Sequence, residues 1–487
     1  MTSDHSARYA ALVARDCRFD GRFFVGVSST GIYCRPVCRV RTPKAANCNF
    51  FENAAAAEAA GFRPCLRCRP ELAPGLASVD MPSRLAWAAA QRIEAGQVDA
   101  DGLAGLATRL GITDRHLRRV FSDAFGVTPI AYLQTQRLLL AKRLLADTAL
   151  PITELALAAG FGSLRRFNAV FHAHYGLSPS ALRKAAASPP AGDFMRFELA
   201  YRPPFDWPRL LAFLAGRCVP GVEAVEGGCY RRSVRVEFGG ATHRGWLAIT
   251  LATGKDAVAV SMSNSLVRVL PAVLAGVRRV CDLSCEPDAV ARALGPLAAD
   301  APGLRVPGAF DGFEMAVRAV LGQQVTVKAA HTLAGRFAAA LGEPVETPFA
   351  DINRLFPAPH WVAQASVDEI ASLGIVRQRT AAILSLAREV AAGRLDIGPA
   401  ADVDATLGQL QALPGIGRWT AQYIALRALG WPDAWPSGDV ALIKSLGVAT
   451  AREADAAAEA WRPWRGYATL HLWRRLNDPS TPVGDLR

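Results

Sequence analysis

The stretch Leu413–Val440, LPGIGRWTAQYIALRALGWPDAWPSGDV, sets a short Pro-Gly-Ile-Gly turn between two helical patterns and follows it, one long helix later, with a lone carboxylate, Asp439. Gly415 and Gly417 let backbone N–H groups approach a phosphate with no side chain in the way, and the helix from Arg418 to Leu429 aims its positive end at the same place. That is a grip on a DNA backbone placed beside an acid. Read only as structure, the same residues are a tight turn between two core helices, with Asp439 as the N-cap of PSGDVALIK.

The surrounding chain has 487 residues, half of them apolar. That is too long for one ordinary core and implies three or four domains. No run of about 18 apolar residues lacks a charge or a break, and MTSDHSARYAALVARD has no apolar signal segment, so the expectation is a soluble cytoplasmic protein with no membrane partner. The net charge of +12 is unevenly spread: residues 1–78 hold 11 Lys+Arg against 6 Asp+Glu, residues 79–187 hold 13 against 8, and the remaining 300 hold 31 against 29. A basic front fits a polyanion through counterion release, with plain solubility as the alternative. Ten cysteines lie at 17, 34, 38, 48, 65, 68, 218, 229, 281 and 285. Without a secretion signal, clustered cysteines favour metal over disulfides.

LPGIGRWTAQYIALR with Asp439, together with FDGFEMAVRAVLGQQVT (310–326) and WRPWRGYATLHLWR (461–474), resembles the helix-hairpin-helix Gly/Pro-Asp DNA glycosylases. Within them it looks like the 3-methyladenine DNA glycosylase II (AlkA) family, over roughly residues 190–480. The resemblance implies a two-lobed helical glycosylase core at 286–487, preceded by a small antiparallel α+β subdomain at 188–285 that serves as scaffold. Asp439 would then lie beneath C1′, stabilise an oxocarbenium-like sugar and steer water to it. Trp473 would wall the base pocket with Trp419 and Tyr423, and Gln323, Gln324, Gly415, Gly417 and Arg418 would touch DNA. Alkylated purines such as 3-methyladenine and 7-methylguanine are cationic, so aromatic walls hold them by about 0.5–2 kcal/mol per contact. The family also implies a monovalent cation on main-chain carbonyls near Gln411, Leu413 and Ile416.

Three departures refine that expectation. The lyase branch of the superfamily carries a Lys where this chain has Trp419, and an indole cannot form a Schiff base with the sugar. No cysteine follows 285, which excludes the branch with a four-cysteine iron–sulfur cluster after the acid. The wedge position, apolar in the family, holds Gln324. The expected activity is monofunctional hydrolysis.

In the front of the chain, Cys34-x3-Cys38 and Cys65-x2-Cys68, separated by 26 residues, offer four thiolates with the spacing of a tetrahedral zinc site. STGIYCRPVC (29–38) and AAGFRPCLRC (59–68) resemble the methylphosphotriester-repair domain of the Ada response protein, placed at 1–78. The resemblance implies Zn2+ on Cys34, Cys38, Cys65 and Cys68, with Cys34 as methyl-accepting nucleophile. Converting Cys34 to a thioether changes the site's formal charge from −2 to −1, weakening its repulsion of phosphates by a few kcal/mol. Arg35, Arg39, Arg63, Arg67 and Arg69 are candidate phosphate contacts or a solvated basic face. Cys17 and Cys48 read as ordinary thiols, and Cys281 and Cys285 as core or surface thiols.

From 79 to 187 the pattern is helical and repeats at fifty residues, aligning GITDRHLRRVFSDAFGVTP (111–129) with GFGSLRRFNAVFHAHYGLSP (160–179). Each unit reads as a helix-turn-helix, and the pair resembles the AraC-family DNA-binding domain. A connecting helix at about 129–147, roughly 27 Å long, would set the two recognition helices in successive major grooves. Candidate readers are Arg115, His116, Arg118 and Arg119, then Ser163, Arg165, Arg166 and Asn168. Linkers are expected at 73–82 and 185–192.

The sequence therefore implies a multidomain protein, mainly α with α+β parts: a small zinc domain, a tandem helix-turn-helix domain, an antiparallel α+β subdomain and the glycosylase core. It would sense methylated DNA, bind a promoter and excise alkylated bases, with double-stranded DNA and RNA polymerase as partners. No second methyl-accepting Pro-Cys-His-Arg segment is present, so direct O6-alkylguanine repair is not expected. Two alternatives stand beside this: a transcription factor whose glycosylase domain only recognises lesions, and a glycosylase whose zinc is purely structural.

Overall fold

The computed structural model describes residues 2–16, 19–73, 84–98, 101–185 and 194–477. Cys17 and nearly all of the two expected linkers lie outside the described residues. The chain divides into two compact units: Met1–Pro203 with Arg235–Gly245 and Leu251–Ala275, and Pro204–Val234 with Trp246–Thr250 and Gly276–Arg487.

The first unit opens with α1 (Thr2–Ala14), then β1 (Phe24–Val27), β2 (Ile32–Cys34), β3 (Cys48–Phe51), α2 (Ala54–Ala59) and β4 (Arg63–Pro64). The strands form one sheet in the order β3-β1-β2-β4. β2 runs parallel to β4 with Tyr33 opposite Pro64, so Cys34 and Cys65, each one residue further on, emerge side by side. The sheet thereby brings together two cysteine pairs far apart in sequence.

Among the described residues seven α-helices follow: α3 (Arg84–Glu94), α4 (Gly102–Arg109), α5 (Asp114–Phe125), α6 (Pro129–Asp147), α7 (Ile152–Ala158), α8 (Leu164–Tyr175) and α9 (Pro179–Ala185). The repeat is visible turn by turn. Thr113 and Ser163 cap α5 and α8 by accepting from the His116 and Arg166 N–H groups, and Gly126 and Gly176 end them at φ 70° and 68°. Phe121 and Phe171 are fully buried at matching positions. These choices agree at each level of the motif, which is why the duplication is readable from the chain.

Beyond lie β5 (Phe194–Ala200), α10 (Trp207–Ala215), β6 (Glu223–Glu226), β7 (Cys229–Phe238), β8 (Ala241–Leu251), β9 (Ala257–Ser263) and α11 (Leu270–Val280). In the first unit β5 pairs antiparallel with β9, from Phe194 opposite Ser263 to Ala200 opposite Ala257. In the second unit β6 and the start of β7 form a hairpin, from Glu223 opposite Arg232 to Glu226 opposite Cys229.

The rest of the second unit is helical: α12 (Pro287–Leu294), α13 (Gly312–Leu321), α14 (Val327–Leu341), α15 (Pro359–Gln364), α16 (Val367–Ala371), α17 (Arg377–Ala391), α18 (Val403–Ala412), α19 (Arg418–Ile424), α20 (Val440–Leu446), α21 (Ala451–Ala458) and α22 (Arg465–Asn477). One core joins them, with Val317, Ile383, Leu386, Ile424 and Leu472 all fully buried. Instead of running as one α-helix to Leu429, α19 passes into a π-helical turn over Ala425–Leu429, which buries Arg427 inside the unit. A buried ion network ties the β6–β7 hairpin to α13: Glu223 meets Arg232 at 3.2 Å and Arg318 at 3.0 Å, while Glu314 meets Arg232 at 2.5 Å and Arg318 at 2.8 Å. Burial opposes the Glu223 charge, but Arg318 and Arg232 overcome it and bring the carboxyl down to about 2. Among the described residues no helix is long and apolar enough to cross a membrane.

Asp282 fixes α22 from below, since its Oδ2 accepts from the Tyr467 hydroxyl at 2.8 Å and from the Val306 N–H at 3.1 Å. Burial pushes this carboxyl up to about 6 despite the attraction of Arg305. A raised folded value means that the folded state holds the proton more tightly than the unfolded chain. The stabilising share is complete below the ordinary carboxylate value and is lost as pH rises through about 6. Holding the carboxyl up at about 6 instead of its ordinary value is worth roughly 3 kcal/mol. At φ 48° Asp282 occupies a conformation that Asn also tolerates, and an amide oxygen can accept the same two bonds. Asp282→Asn is expected to raise the thermal unfolding midpoint at pH 7.5 by several degrees and to leave it unchanged near pH 4. A variant no more stable at pH 7.5 would mean that the Arg305 attraction outweighs burial.

Candidate active site and metal centre

The hairpin expected at 413–417 joins α18 to α19. Gly415 sits at φ +79°, and a Cβ there would lie 3.1 Å from the Ala382 Cβ, so both conformation and space require glycine. At Gly417 a Cβ would meet nothing within 4 Å, and no side chain caps α19. The protein's own packing makes no demand for glycine at 417. Gly417 and Arg418, at the start of α19, are both exposed.

Asp439 is both the N-cap of α20 and part of a constellation. Its Oδ1 accepts from the Ala441 N–H at 2.9 Å, the Leu442 N–H at 3.1 Å and the Trp473 indole N–H at 3.3 Å. Its Oδ2 accepts from the Trp419 indole N–H at 2.8 Å. All four neighbours donate, a pattern that an acceptor-only carboxylate satisfies. The loop before it is pinned: Trp435 Nε1 and Ser437 Oγ each donate to Asp455 at 2.8 Å, and the Trp435 N–H donates to Gln422 on α19 at 3.1 Å. Helix α22, which carries Trp473, approaches this loop so closely at Gly466 that a Cβ would lie 2.5 Å from Leu426 and 2.8 Å from the Pro432 carbonyl.

Two of the three aromatic residues singled out from sequence, Trp419 and Trp473, reach that carboxylate, and the third, Tyr423, meets both of their rings. Trp419 and Tyr423 stack at 5.3 Å with planes 9° apart, and Tyr423 meets Trp473 at 6.1 Å and 45°. The sequence reading missed what lies behind Tyr423. Buried Arg427 donates to the Tyr423 oxygen at 2.8 Å and to the Pro307 carbonyl, and its guanidinium lies 4.8 Å from the Phe213 ring centre on α10. Burial works against the phenolate, but Arg427, Arg217 and Arg318 bring the Tyr423 phenol below its usual range. The i, i+4 spacing of Tyr423 and Arg427 was the available signal for the pair, and nothing in residues 188–285 singled out Phe213.

Gln323 and Gln324 take different positions. Gln324 is exposed and held at φ 52°, a costly conformation for a side chain of its kind. Gln323 turns inward: its amide donates to the Gly415 carbonyl at 2.8 Å and to Thr420 Oγ1 at 2.9 Å, while Arg379 donates to its backbone carbonyl. The loop before α14 is thus laced to the hairpin.

In the first unit the Sγ atoms of Cys34, Cys38, Cys65 and Cys68 all lie within 4.8 Å of one another, and among the described residues no other His, Cys, Asp or Glu group of this kind occurs. Zn–S bonds of 2.3 Å in a tetrahedron place sulfurs about 3.8 Å apart, so the cage suits that ion. With only protons to share, the thiols split. Bonds from Cys34, Cys38 and Cys68 hold Cys65 well below the usual thiol range, while Cys38, Cys65 and Cys68 push Cys34 well above it. Four thiolates together require a dication, and an all-sulfur set suits Zn2+. Cys48 is buried away from the cage with its Sγ 3.4 Å from the Lys44 carbonyl, and Cys218, Cys281 and Cys285 are core thiols.

Of the five arginines around the cage, two are committed elsewhere. Arg35 is bound to Asp20 and reaches the Cys68 carbonyl at 3.3 Å, and Arg69 pairs with Asp147 at 2.6 Å and Glu71 at 2.9 Å. Arg39 and Arg67 are exposed. On the recognition helices Arg115, Arg118, Arg119, Arg165, Arg166 and Asn168 are all exposed. Arg118 is in an i, i+4 pair with Asp114 at 2.7 Å, and Ser163 is spent as the cap of α8.

A helix-hairpin-helix core with an acid and aromatic walls, joined to a four-cysteine cage and paired helix-turn-helix units, defines a base-excision repair protein fused to a DNA-binding regulator. Four family models match in turn: the metal binding domain of Ada (residues 7–71), a helix-turn-helix domain (106–185), the AlkA N-terminal domain (196–311) and the HhH-GPD superfamily base excision DNA repair protein (317–428). The chain is 40% identical, over 98% of both chains, to a protein of Mycobacterium tuberculosis strain H37Rv described as a probable bifunctional transcriptional activator/DNA repair enzyme AlkA. It is 37% identical to DNA-3-methyladenine glycosylase 2 of Escherichia coli K12, over 57% of this chain and 96% of that one. The 3-methyladenine DNA-glycosylase of Archaeoglobus fulgidus, at 19% identity and a TM-score of 0.51, shares the fold over 58% of this chain and 99% of its own. The chain belongs to the family of bifunctional AlkA-type transcriptional activator/DNA repair enzymes.

The Gln323 tie has a direct test. Gln323→Glu keeps the size of the side chain but loses both donors and sets a carboxylate against the Gly415 carbonyl. Two hydrogen bonds are worth about 1–3 kcal/mol together, so the unfolding midpoint is expected to fall by a few degrees and, with the hairpin released from its loop, duplex affinity to fall roughly tenfold. Affinity within about twofold of wild type would show that the tie does not shape the hairpin.

Proposed function

We propose that the second unit hydrolyses the N-glycosidic bond of alkylated bases of the 3-methyladenine and 7-methylguanine class, and that the first unit takes a methyl group from a DNA phosphotriester and then binds a promoter. The observation that carries the first half is the Trp419 indole N–H on Asp439 Oδ2, 2.8 Å away. It supports reading the indole as a wall of the base pocket beside an oriented carboxylate.

Extruding the nucleotide costs a few kcal/mol, least for a damaged base. Gln324, presented by its loop, fills the space the base leaves, while the N–H groups at Gly415 and Gly417 and the Arg418 side chain hold the phosphates. Trp419, Tyr423 and Trp473 receive the cationic base. As the C1′–N bond breaks, its electron pair leaves with the base and neutralises it, and the sugar becomes cationic. Asp439 stabilises that charge, and water adds to C1′ with loss of a proton. Trp419 has no amine to trap the sugar. The carbonyls of Gln411, Leu413 and Ile416 can also hold a monovalent cation; Leu413 gives one lone pair to the Ile416 N–H and keeps the other.

In the first unit, Cys34, Cys38, Cys65 and Cys68 would hold Zn2+, which would keep their thiolates available at neutral pH. Cys34 Sγ attacks the methyl carbon, an S–C bond forms, the C–O bond breaks, and the phosphodiester leaves as an anion. The cage loses one negative charge and repels the backbone less. Arg115, Arg118, Arg119, Arg165, Arg166 and Asn168 then read a promoter, where RNA polymerase is the partner of an activator. We assign these tasks to a zinc domain at 1–78, a reader at 79–187, a scaffold at 188–285 and the excision core at 286–487, acting in the cytoplasm.

Incubation with methylated duplex DNA is expected to release free 3-methyladenine, with no borohydride-trapped protein–DNA adduct. A trapped adduct would overturn the hydrolytic reading, and no released base would favour lesion recognition without excision. After exposure to DNA bearing methylphosphotriesters, mass spectrometry is expected to show about 14 Da added at Cys34. Methyl on another residue would refute that assignment.

A further inference from the structure

Helix α2, AAAAEA between Asn53 and Ala60, belongs to the zinc domain by sequence, yet both recognition helices end on it. At its start, Asn53 uses its two side-chain atoms separately. Oδ1 accepts from the Ala56 N–H at 2.8 Å and caps α2, while Nδ2 donates to the carbonyl of Phe125, the last residue of α5, at 3.1 Å. At its far end, Glu58 accepts from Thr135 of α6 at 2.6 Å and lies 3.1 Å from Nε2 of His174, the penultimate residue of α8. The other Glu58 oxygen accepts from the Tyr33 hydroxyl at 3.0 Å, one residue before Cys34.

The side chains between these two ends are small enough to enter both neighbouring cores. Ala55 is buried with Leu117, Phe121, Phe125 and Tyr132, and Ala57 is buried with Tyr33, Phe62 and Leu139. Six residues of α-helix span about 9 Å. A rigid strut of fixed length therefore stands between the last turn of one recognition helix and the last turn of the other. On their own, α5 and α8 are connected through α6, one long helix that can bend and twist.

We infer that α2, through Asn53 and Glu58, sets the relative placement of α5 and α8 and so determines the half-site spacing that the paired reader accepts. The inference rests on the reading that these two helices enter DNA. It assigns the zinc domain a part in sequence specificity that is separate from its charge. Asn53 and Glu58 act as positioning residues: neither needs to touch DNA, and neither ligates the metal.

Two variants of the full chain test it. Asn53→Asp keeps the α2 cap but removes the donor to Phe125 and sets a carboxylate against that carbonyl. Asn53→Asp with Glu58→Gln also removes the charge facing His174. Zinc content and methyl uptake at Cys34, expected to equal wild type in both, report that the domain is folded. The probes are duplexes bearing the two half-sites that methyl-charged wild type selects from a random library, at the selected spacing and with one, two and five base pairs added.

Wild type is expected to prefer its own spacing by about tenfold or more, and both variants to discriminate by less than about threefold. Variants that keep zinc, methyl uptake and the full spacing preference would overturn the proposal. Arg119→Ala and Arg166→Ala provide the separate control. If both leave binding to the selected site unchanged, the reading of α5 and α8 as DNA readers fails, and the spacing proposal fails with it.

Discussion

The second unit is arranged around one carboxylate and the four N–H groups that meet it. Two come from the first turn of α20 and two from indoles on helices far apart in sequence, so Asp439 can keep its orientation only while α19, α20 and α22 hold their mutual positions. Much of the surrounding structure serves that requirement. Trp435 and Ser437 fasten the preceding loop to Asp455, Gly466 lets α22 come within backbone distance of Pro432, and Asp282 anchors Tyr467 on the same helix. A carboxylate fixed by preorganised donors need not reorient as positive charge develops beside it, which is the economical way to stabilise a transition state. The helix cap and the proposed chemistry are compatible because they use the carboxylate differently: Oδ1 takes both backbone N–H groups, and Oδ2 faces Trp419.

The first unit depends in a similar way on a sheet that brings Cys34 and Cys65 side by side. Its linkage to the helical reader is extensive. Buried Lys142 on α6 donates to the Cys65 carbonyl at 2.9 Å and pairs with Glu71 at 2.7 Å, next to the Arg69–Asp147 pair. Charges desolvated this far require partners, so the zinc loop and α6 hold each other in register. A change of charge at the cage is therefore made on a body that already contains the reading helices.

Much of this was legible in the chain because the signals are local. Gly415 is demanded by a positive φ and a close neighbour, the fifty-residue repeat places a cap, a glycine and a proline at the same offsets twice, and four cysteines announce a metal by spacing. Trp419, Tyr423 and Trp473 were found through resemblance, and in the structure the two indoles donate to Asp439 while Tyr423 packs against both. What was not legible depends on contacts between distant segments. Gln323 and Gln324 look alike in sequence, yet one laces a loop to the hairpin and the other is exposed in a strained conformation. Arg35 and Arg69 look like free cations until Asp20 and Asp147 are seen beside them. Phe213, Asn53 and Glu58 carry no motif, Arg427 is marked only by its i, i+4 spacing from Tyr423, and the π-helical turn that buries it has no mark in local propensity.

The central claim is that the oriented Asp439 carboxylate, and not the aromatic pocket alone, breaks the glycosidic bond. Its most direct test is single-turnover release of free 3-methyladenine from methylated duplex DNA by wild type and by Asp439→Asn. Asparagine retains an oxygen to cap α20 but turns its NH2 group against the Trp419 indole N–H, so release is compared at saturating protein and with duplex affinity measured alongside. Release is expected to fall about a hundredfold or more with loss of the charge. Equal release by the two proteins would contradict the account.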